Sequence, residues 1–178
     1  MSDGQLAQPV GADDHVSGPP EAPLTLVEYG DFECPWCGKA HPIVQSLQRA
    51  LGPQLRLVFR NFLLSELHPH AERAAETAEA AAAQGKYWEM HDTLFEHQDA
   101  LDVRDLIGYA GDLNLDAARV QRELETGAYA ERVRRDFRSG VRSGVNGTPT
   151  FFINGERYDG NWTDETQFLE ALQSSAMP

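Results

Sequence analysis

Leu24-Thr25-Leu26-Val27-Glu28-Tyr29-Gly30-Asp31-Phe32-Glu33-Cys34-Pro35-Trp36-Cys37 is the stretch whose reading decides the fold. It opens as a mostly apolar run with Leu24, Leu26 and Glu28 on one face and Thr25, Val27 and Tyr29 on the other. That is the pattern of a central strand buried on both sides and carrying one carboxylate. It closes on two cysteines separated by two positions, the only cysteines in 178 residues. Ile43, Val44, Leu47 and Leu51 then recur at helical spacing until Gly52-Pro53, with Pro42 expected to kink the helix. The thiols therefore lie at a strand-to-helix turn. Cys34 falls at the helix N-terminus, where unsatisfied amides and the helix dipole favour a thiolate, the attacking species of thiol-disulfide exchange. Cys37, one turn on, is placed to resolve the mixed disulfide.

Two other uses of the pair fit less well. A closed zinc site needs four ligands, and no second Cys-x-x-Cys is present. His68 and His70 flank a proline, while His91 and His97 lie six apart on different helical faces, so no metal is expected. A structural staple closing so small a loop removes little entropy from the unfolded chain.

The length suits one domain, and a net charge of −13 argues against nucleic acid or an anionic membrane surface, which need clustered positive charge. A protein or small thiol is the expected partner. Met1 to Val10 has neither the basic start nor the apolar core of a secretory signal, and no run is long enough to span a bilayer. The expected compartment is the cytoplasm, where a lone cysteine pair is more often catalytic or metal-binding than structural; the alternative is an exported protein whose signal has been removed. Residues 1–22, with Gly11, Gly18, Pro19 and Pro20, read as a flexible leader.

Gln54 to Arg60 alternates Leu55, Leu57 and Phe59 against Arg56 and Arg60, a second strand, parallel to the first because a helix connects them. From about His68 to Gly140 the pattern is helical. Pro69 suits a first helical turn, and the alanine tract Ala71 to Ala83 suits a packing face. Trp88, Phe95 and Tyr109 read as core. Thr150 to Ile153 and Glu156 to Tyr158 flank Asn154-Gly155, a strong type I′ hairpin signal. A last helix is expected after an N-cap at Thr163, with Phe168, Leu169 and Leu172 facing inward.

This order, together with Asp31-Phe-Glu-Cys-Pro-Trp-Cys37, His68-Pro-His-Ala71 and Val145-Asn-Gly-Thr-Pro-Thr-Phe-Phe-Ile-Asn-Gly155, resembles the DsbA-like branch of the thioredoxin superfamily over about residues 22–174. The resemblance implies an α/β thioredoxin-like fold. Its core would comprise residues 23–64 and 141–178, interrupted by a helical insertion at 65–140. It implies that Cys34 is the exposed nucleophile and Cys37 the buried resolving thiol. Glu28 would be a buried acid beneath Cys37 that takes its proton through water. Pro149 would be a cis-proline facing the cysteines, and Thr148 would pair its backbone with an extended substrate. Pro35 and Trp36 would complete the substrate-facing surface. No cofactor is implied beyond the redox-active pair.

Trp36 stands where the family's best-known oxidant has a histidine. Without an imidazolium, and with Asp31 and Glu33 adjacent, Cys34 is expected to be less acidic than in that oxidant, though still below the free-thiol value of about 8.5. The expected activity is disulfide exchange with protein substrates, supported by a redox partner or low-molecular-weight thiol, in a direction the residues leave open. One alternative is a redox-sensing interaction module without turnover. Another is a glutathione-dependent isomerase or transferase of the kappa type, against which Cys37 weighs.

Overall fold

In a computed structural model, which describes residues 4–176, a five-stranded sheet is assembled around the first predicted strand. The strands are β1 (His15–Ser17), β2 (Leu24–Gly30), β3 (Leu55–Asn61), β4 (Thr150–Ile153) and β5 (Glu156–Tyr158), in the order β1-β3-β2-β4-β5. β2 and β3 are parallel, joined by α1 (Pro35–Leu51), and the other pairings are antiparallel. Between β3 and β4 come α2 (Ala71–Ala82), α3 (Tyr87–Glu96), α4 (Val103–Asp112), α5 (Ala117–Thr126) and α6 (Ala130–Arg142), and α7 (Glu165–Ser175) follows β5. This is a thioredoxin-like α/β fold.

Every residue of β2 is buried because both faces of the sheet are covered. On one face Leu24, Leu26, Phe151 and Ile153 pack against Val44, Leu47 and Leu51 of α1 and Phe168 and Leu172 of α7. On the other, Val27, Tyr29, Val58 and Phe152 meet Phe62 and Val145, with Leu6, Val10 and Val16 at the margin. Each buried Leu or Phe contributes about 1.5–3 kcal/mol relative to exposure. A third cluster joins the helices to the cysteines: Phe32, Cys34, Cys37 and Phe59 pack with Met90, Leu94 and Phe95, and with the buried alanines of α2.

The leader departs from expectation from residue 4 onward, its first three residues lying outside the described ones. Residues 4–22 are held against the sheet rather than free: β1 pairs with β3, Leu6 N–H donates to the Gly155 carbonyl (2.8 Å), and the Trp88 indole donates to the Val16 carbonyl (3.1 Å). Asp14 takes both Nε and a terminal nitrogen of Arg60 at 2.8 and 2.9 Å, while the carbonyls of Gln8 and Pro9 accept from the same guanidinium. Arg60 is 1% exposed, so the segment satisfies a buried cation. Its contribution is polar, which is why a shortage of large apolar residues misread it.

Two local boundaries also differ. Pro69 lies before α2, which starts at Ala71 with His70 as N-cap. Asp164, not Thr163, caps α7, its carboxylate accepting from Gln167 N–H, while the Thr163 hydroxyl donates to Asn161. The hairpin turn is as predicted: Asn154 and Gly155 have φ of +50° and +87°.

Candidate active site

β2 delivers the chain to the cysteines, and α1 begins on them. Cys34 is the N-cap of α1, in an extended conformation, and Pro35 takes the first turn, where a missing N–H costs nothing. Cys37 is completely buried one turn on. Cys34 is also nearly covered, at 4% exposed, which corrects the expectation of an exposed nucleophile. Its cover comes partly from β4's approach: the Thr148–Pro149 peptide is cis, and the Cys34 thiol lies 3.6 Å from the Thr148 carbonyl oxygen. Both cysteines are free thiols.

The pKa values of the two thiols are driven in opposite directions. The Cys37 thiol, hydrogen-bonded to the Cys34 sulfur, is the largest cause that lowers Cys34 to about 5. Burial opposes this, and Thr148 with the backbone amides of Cys37 and Trp36 adds to it. Burial pushes the Cys37 thiol well above its ordinary range, and its hydrogen bond to Cys34 and the charges of Glu28 and Cys34 push it further. Glu28, 3% exposed and raised to about 8 by burial and then by the Cys34 charge, has an Oε1 with no partner.

The carboxylates expected to oppose the thiolate are instead occupied. Asp31, fully buried, accepts from Glu33 N–H (2.9 Å) and Leu64 N–H (3.0 Å) and lies 2.8 Å from His68 Nδ1. Glu33 accepts from His70 N–H at 2.7 Å and pairs with its ring at 2.8 Å; this contact raises the His70 pKa. The His68-Pro69-His70 segment is thus a clamp on the acids flanking the nucleophile. The low Cys34 pKa arises without a histidine at position 36.

Several residues here were not singled out in the sequence. The Gln98 side chain donates to both the Phe32 and Cys34 carbonyls (2.8 Å each), and a Cβ at Gly38 would come within 2.0 Å of its Oε1, so glycine leaves room for this brace. Trp36 is 54% exposed and meets Trp162 edge to face at 6.3 Å, with Lys39 over its ring at 4.8 Å. Trp162 and Pro149 line the same groove of roughly 200 Å³. A tryptophan in a polar loop was the available signal for Trp162. Among the described residues, His41, His91 and Asp92 have metal-capable atoms within 4.8 Å of one another, whereas His68 and His70 are engaged by acids.

A strand ending at a Cys-x-x-Cys N-cap, faced by a Thr-cis-Pro loop and roofed by inserted helices, defines the fold of DsbA-like thiol-disulfide oxidoreductases. The family model described as "Thioredoxin" matches residues 11–173, and the chain belongs to that family. Among solved structures it is similar to oxidised BdbD from Bacillus subtilis (TM-score 0.86, 22% identity, 98% of this chain and 99% of that one). It is also similar to a thioredoxin-like oxidoreductase from Silicibacter pomeroyi DSS-3 (TM-score 0.81, 29% identity, 93% of each chain). A curated relative, Na(+)/H(+) antiporter NhaA 1 of Salinispora arenicola, is 48% identical over 172 residues, which make up 96% of this chain and 26% of that protein. The NhaA antiporter of Herminiimonas arsenicoxydans is 45% identical over 153 residues, 86% of this chain and 24% of that protein. The chain thus spans about a quarter of the length of these relatives.

Proposed function

We propose that this chain is an enzyme that exchanges disulfides with protein substrates through Cys34 and Cys37. The observation that carries this reading is the split between the two thiols: one lowered to about 5 at a helix start, its neighbour buried and held protonated. At neutral pH Cys34 is a thiolate. It attacks a substrate disulfide, forming a Cys34–substrate bond and releasing one substrate thiolate. Glu28, largely protonated at neutral pH, gives up its own proton and takes that of Cys37, which attacks Cys34 Sγ and displaces the second substrate thiolate, leaving a Cys34–Cys37 disulfide. Run backwards, the same steps oxidise a substrate dithiol.

Thr148 and Pro149 would present an edge to an extended substrate segment, with Pro35, Trp36 and Trp162 supplying its apolar and aromatic surface. No metal or organic cofactor is invoked. Antiporter activity belongs to the names of much longer relatives, and no helix among the described residues is long and apolar enough to cross a membrane. Cytoplasmic placement is kept in the proposal, and cell fractionation tests it.

Reduction of insulin by this protein with a regenerating thiol tests the activity. Turnover that disappears in Cys34→Ser is expected. Oxidation and re-reduction of the pair without any turnover would favour the redox-sensing module instead.

A further inference from the structure

Glu28 Oε1, His41 Nε2 and His91 Nε2 are all buried without a hydrogen-bond partner, and their three side chains line one cavity of about 60 Å³. Gln45, Gln48, Asp92 and Trp88 also line it. Buried polar atoms without partners are rare, and a space this large, several times the volume one water probe needs, holds water when it offers two to four polar partners. Three orphaned atoms around one void meet that condition.

The two ring nitrogens of His91 face different surroundings. Nδ1 is 2.9 Å from Asp92 Oδ1, and Asp92 is 43% exposed; Nε2 is the orphan. His41 Nε2 lies 3.8 Å from the same Asp92 oxygen. One imidazole therefore turns one ring nitrogen into a polar cavity that reaches Glu28 and holds the other against a carboxylate, lining the same cavity, that is open to solvent. We propose that water in this cavity, His91 and Asp92 form the proton route between Glu28 and solvent, with His41 anchoring the water.

The inference rests on the exchange chemistry proposed above. When Cys37 resolves a mixed disulfide, Glu28, already protonated at neutral pH, takes the Cys37 S–H proton as its own proton leaves along the route. Glu28 passes a proton through the cavity water to His91 Nε2, His91 gives up its Nδ1 proton to Asp92, and Asp92 releases it to solvent. Re-reduction of the pair takes a proton up, which runs the route backwards and restores the His91 tautomer. No electrons move along it. The titratable groups acting on Glu28 and His91 are Cys34 at the α1 N-cap, Cys37 of α1, Tyr87 of α3, His41, Asp92 and, from β1, His15. Burial lowers the pKa of both histidines, so each is neutral at rest and able to accept.

The test separates the two exchange steps by rapid mixing with a disulfide peptide, in His91→Phe, whose ring suits a site lined by Phe32, Phe59 and Phe95, and in the half-exposed Asp92→Asn. Attack by Cys34 should keep its wild-type rate. Resolution by Cys37 should slow by roughly 100-fold, the lower end of what a positioned acid–base group contributes, with a larger solvent deuterium isotope effect and a shifted pH profile. The equilibrium reduction potential should not move, because the end states are unchanged; a merely structural disturbance would shift the potential and leave the isotope effect alone. Wild-type resolution rates in both variants overturn the route. So does a stoichiometric metal ion retained by disulfide-form protein and lost in His41→Phe. No attack by Cys34 in any form would instead refute the exchange chemistry itself.

Discussion

His68 Nδ1 lies 2.8 Å from Oδ2 of Asp31, a fully buried carboxylate three residues before the nucleophile. The pair converts an acid that would raise the Cys34 pKa into part of a satisfied polar frame. In His68→Ala, Asp31 keeps its contacts to Leu64 and Glu33 N–H but loses its imidazole. The variant should lose about 1.5–3 kcal/mol, as for a hydrogen bond to a charged group, and its Cys34 should titrate higher. Chemical denaturation and thiolate absorbance against pH check the two parts. An unchanged Cys34 titration would show that the clamp does not tune the thiol.

Glu28 and Cys34 have opposite effects on stability as pH changes. Glu28 has a raised pKa, so between about 4.5 and about 8 the native state keeps a proton the unfolded state has lost, and its contribution falls by up to about 1.4 kcal/mol per pH unit. Cys34 has a lowered pKa, so from about 5 to 9.0 the unfolded state holds the extra proton and stability rises. The two nearly cancel in the reduced protein. In the disulfide form the Cys34 contribution is gone and Glu28 keeps only the part of its shift that comes from burial. Denaturation midpoints should therefore show the reduced form gaining on the oxidised form as pH rises, and the oxidised wild type losing ground to oxidised Glu28→Gln as pH rises above about 4.5.

Trp36 and Trp162 meet edge to face on an otherwise open surface. Replacing either by alanine should raise the KM for a disulfide peptide about 2- to 10-fold, matching the 0.5–1.5 kcal/mol of an aromatic pair, without changing the Cys34 titration. Steady-state kinetics with one peptide substrate decides this.

Asp14 reaches back over β3 to the buried Arg60 guanidinium. Asp14→Ala should destabilise by about 3–5 kcal/mol, because it strands a buried cation. Burial opposes ionisation of Asp14, but the Arg60 contacts outweigh it and hold the pKa below 3.8, so this stability is present above that value and is lost as pH falls through the lower native one. Thermal unfolding of the variant would show almost no change if residues 4–22 were only loosely attached.

What the sequence made legible was local. β2, the cysteine turn and α1 lie within a single run, and Asn154-Gly155 writes its own positive φ values. What it hid depends on contacts between distant positions. β1 has one large apolar residue and exists through β3 and the Asp14–Arg60 pair, 46 residues apart. His68 and His70 read as a proline-flanked pair with no evident partner, yet each meets an acid 37 residues earlier. The covering of Cys34 by Thr148 spans 114 residues. The cavity behind Glu28 depends on how α1 and α3 meet the sheet, which no local pattern encodes.

The central claim is that Cys34 attacks and Cys37 resolves. Trapping of a mixed disulfide with a protein substrate, in Cys37→Ser and in Cys34→Ser side by side, tests it most directly. Cys37→Ser should accumulate the adduct, because the first exchange proceeds and the second cannot, and Cys34→Ser should accumulate none. Equal trapping by the two variants, or trapping by Cys34→Ser alone, would contradict the assignment.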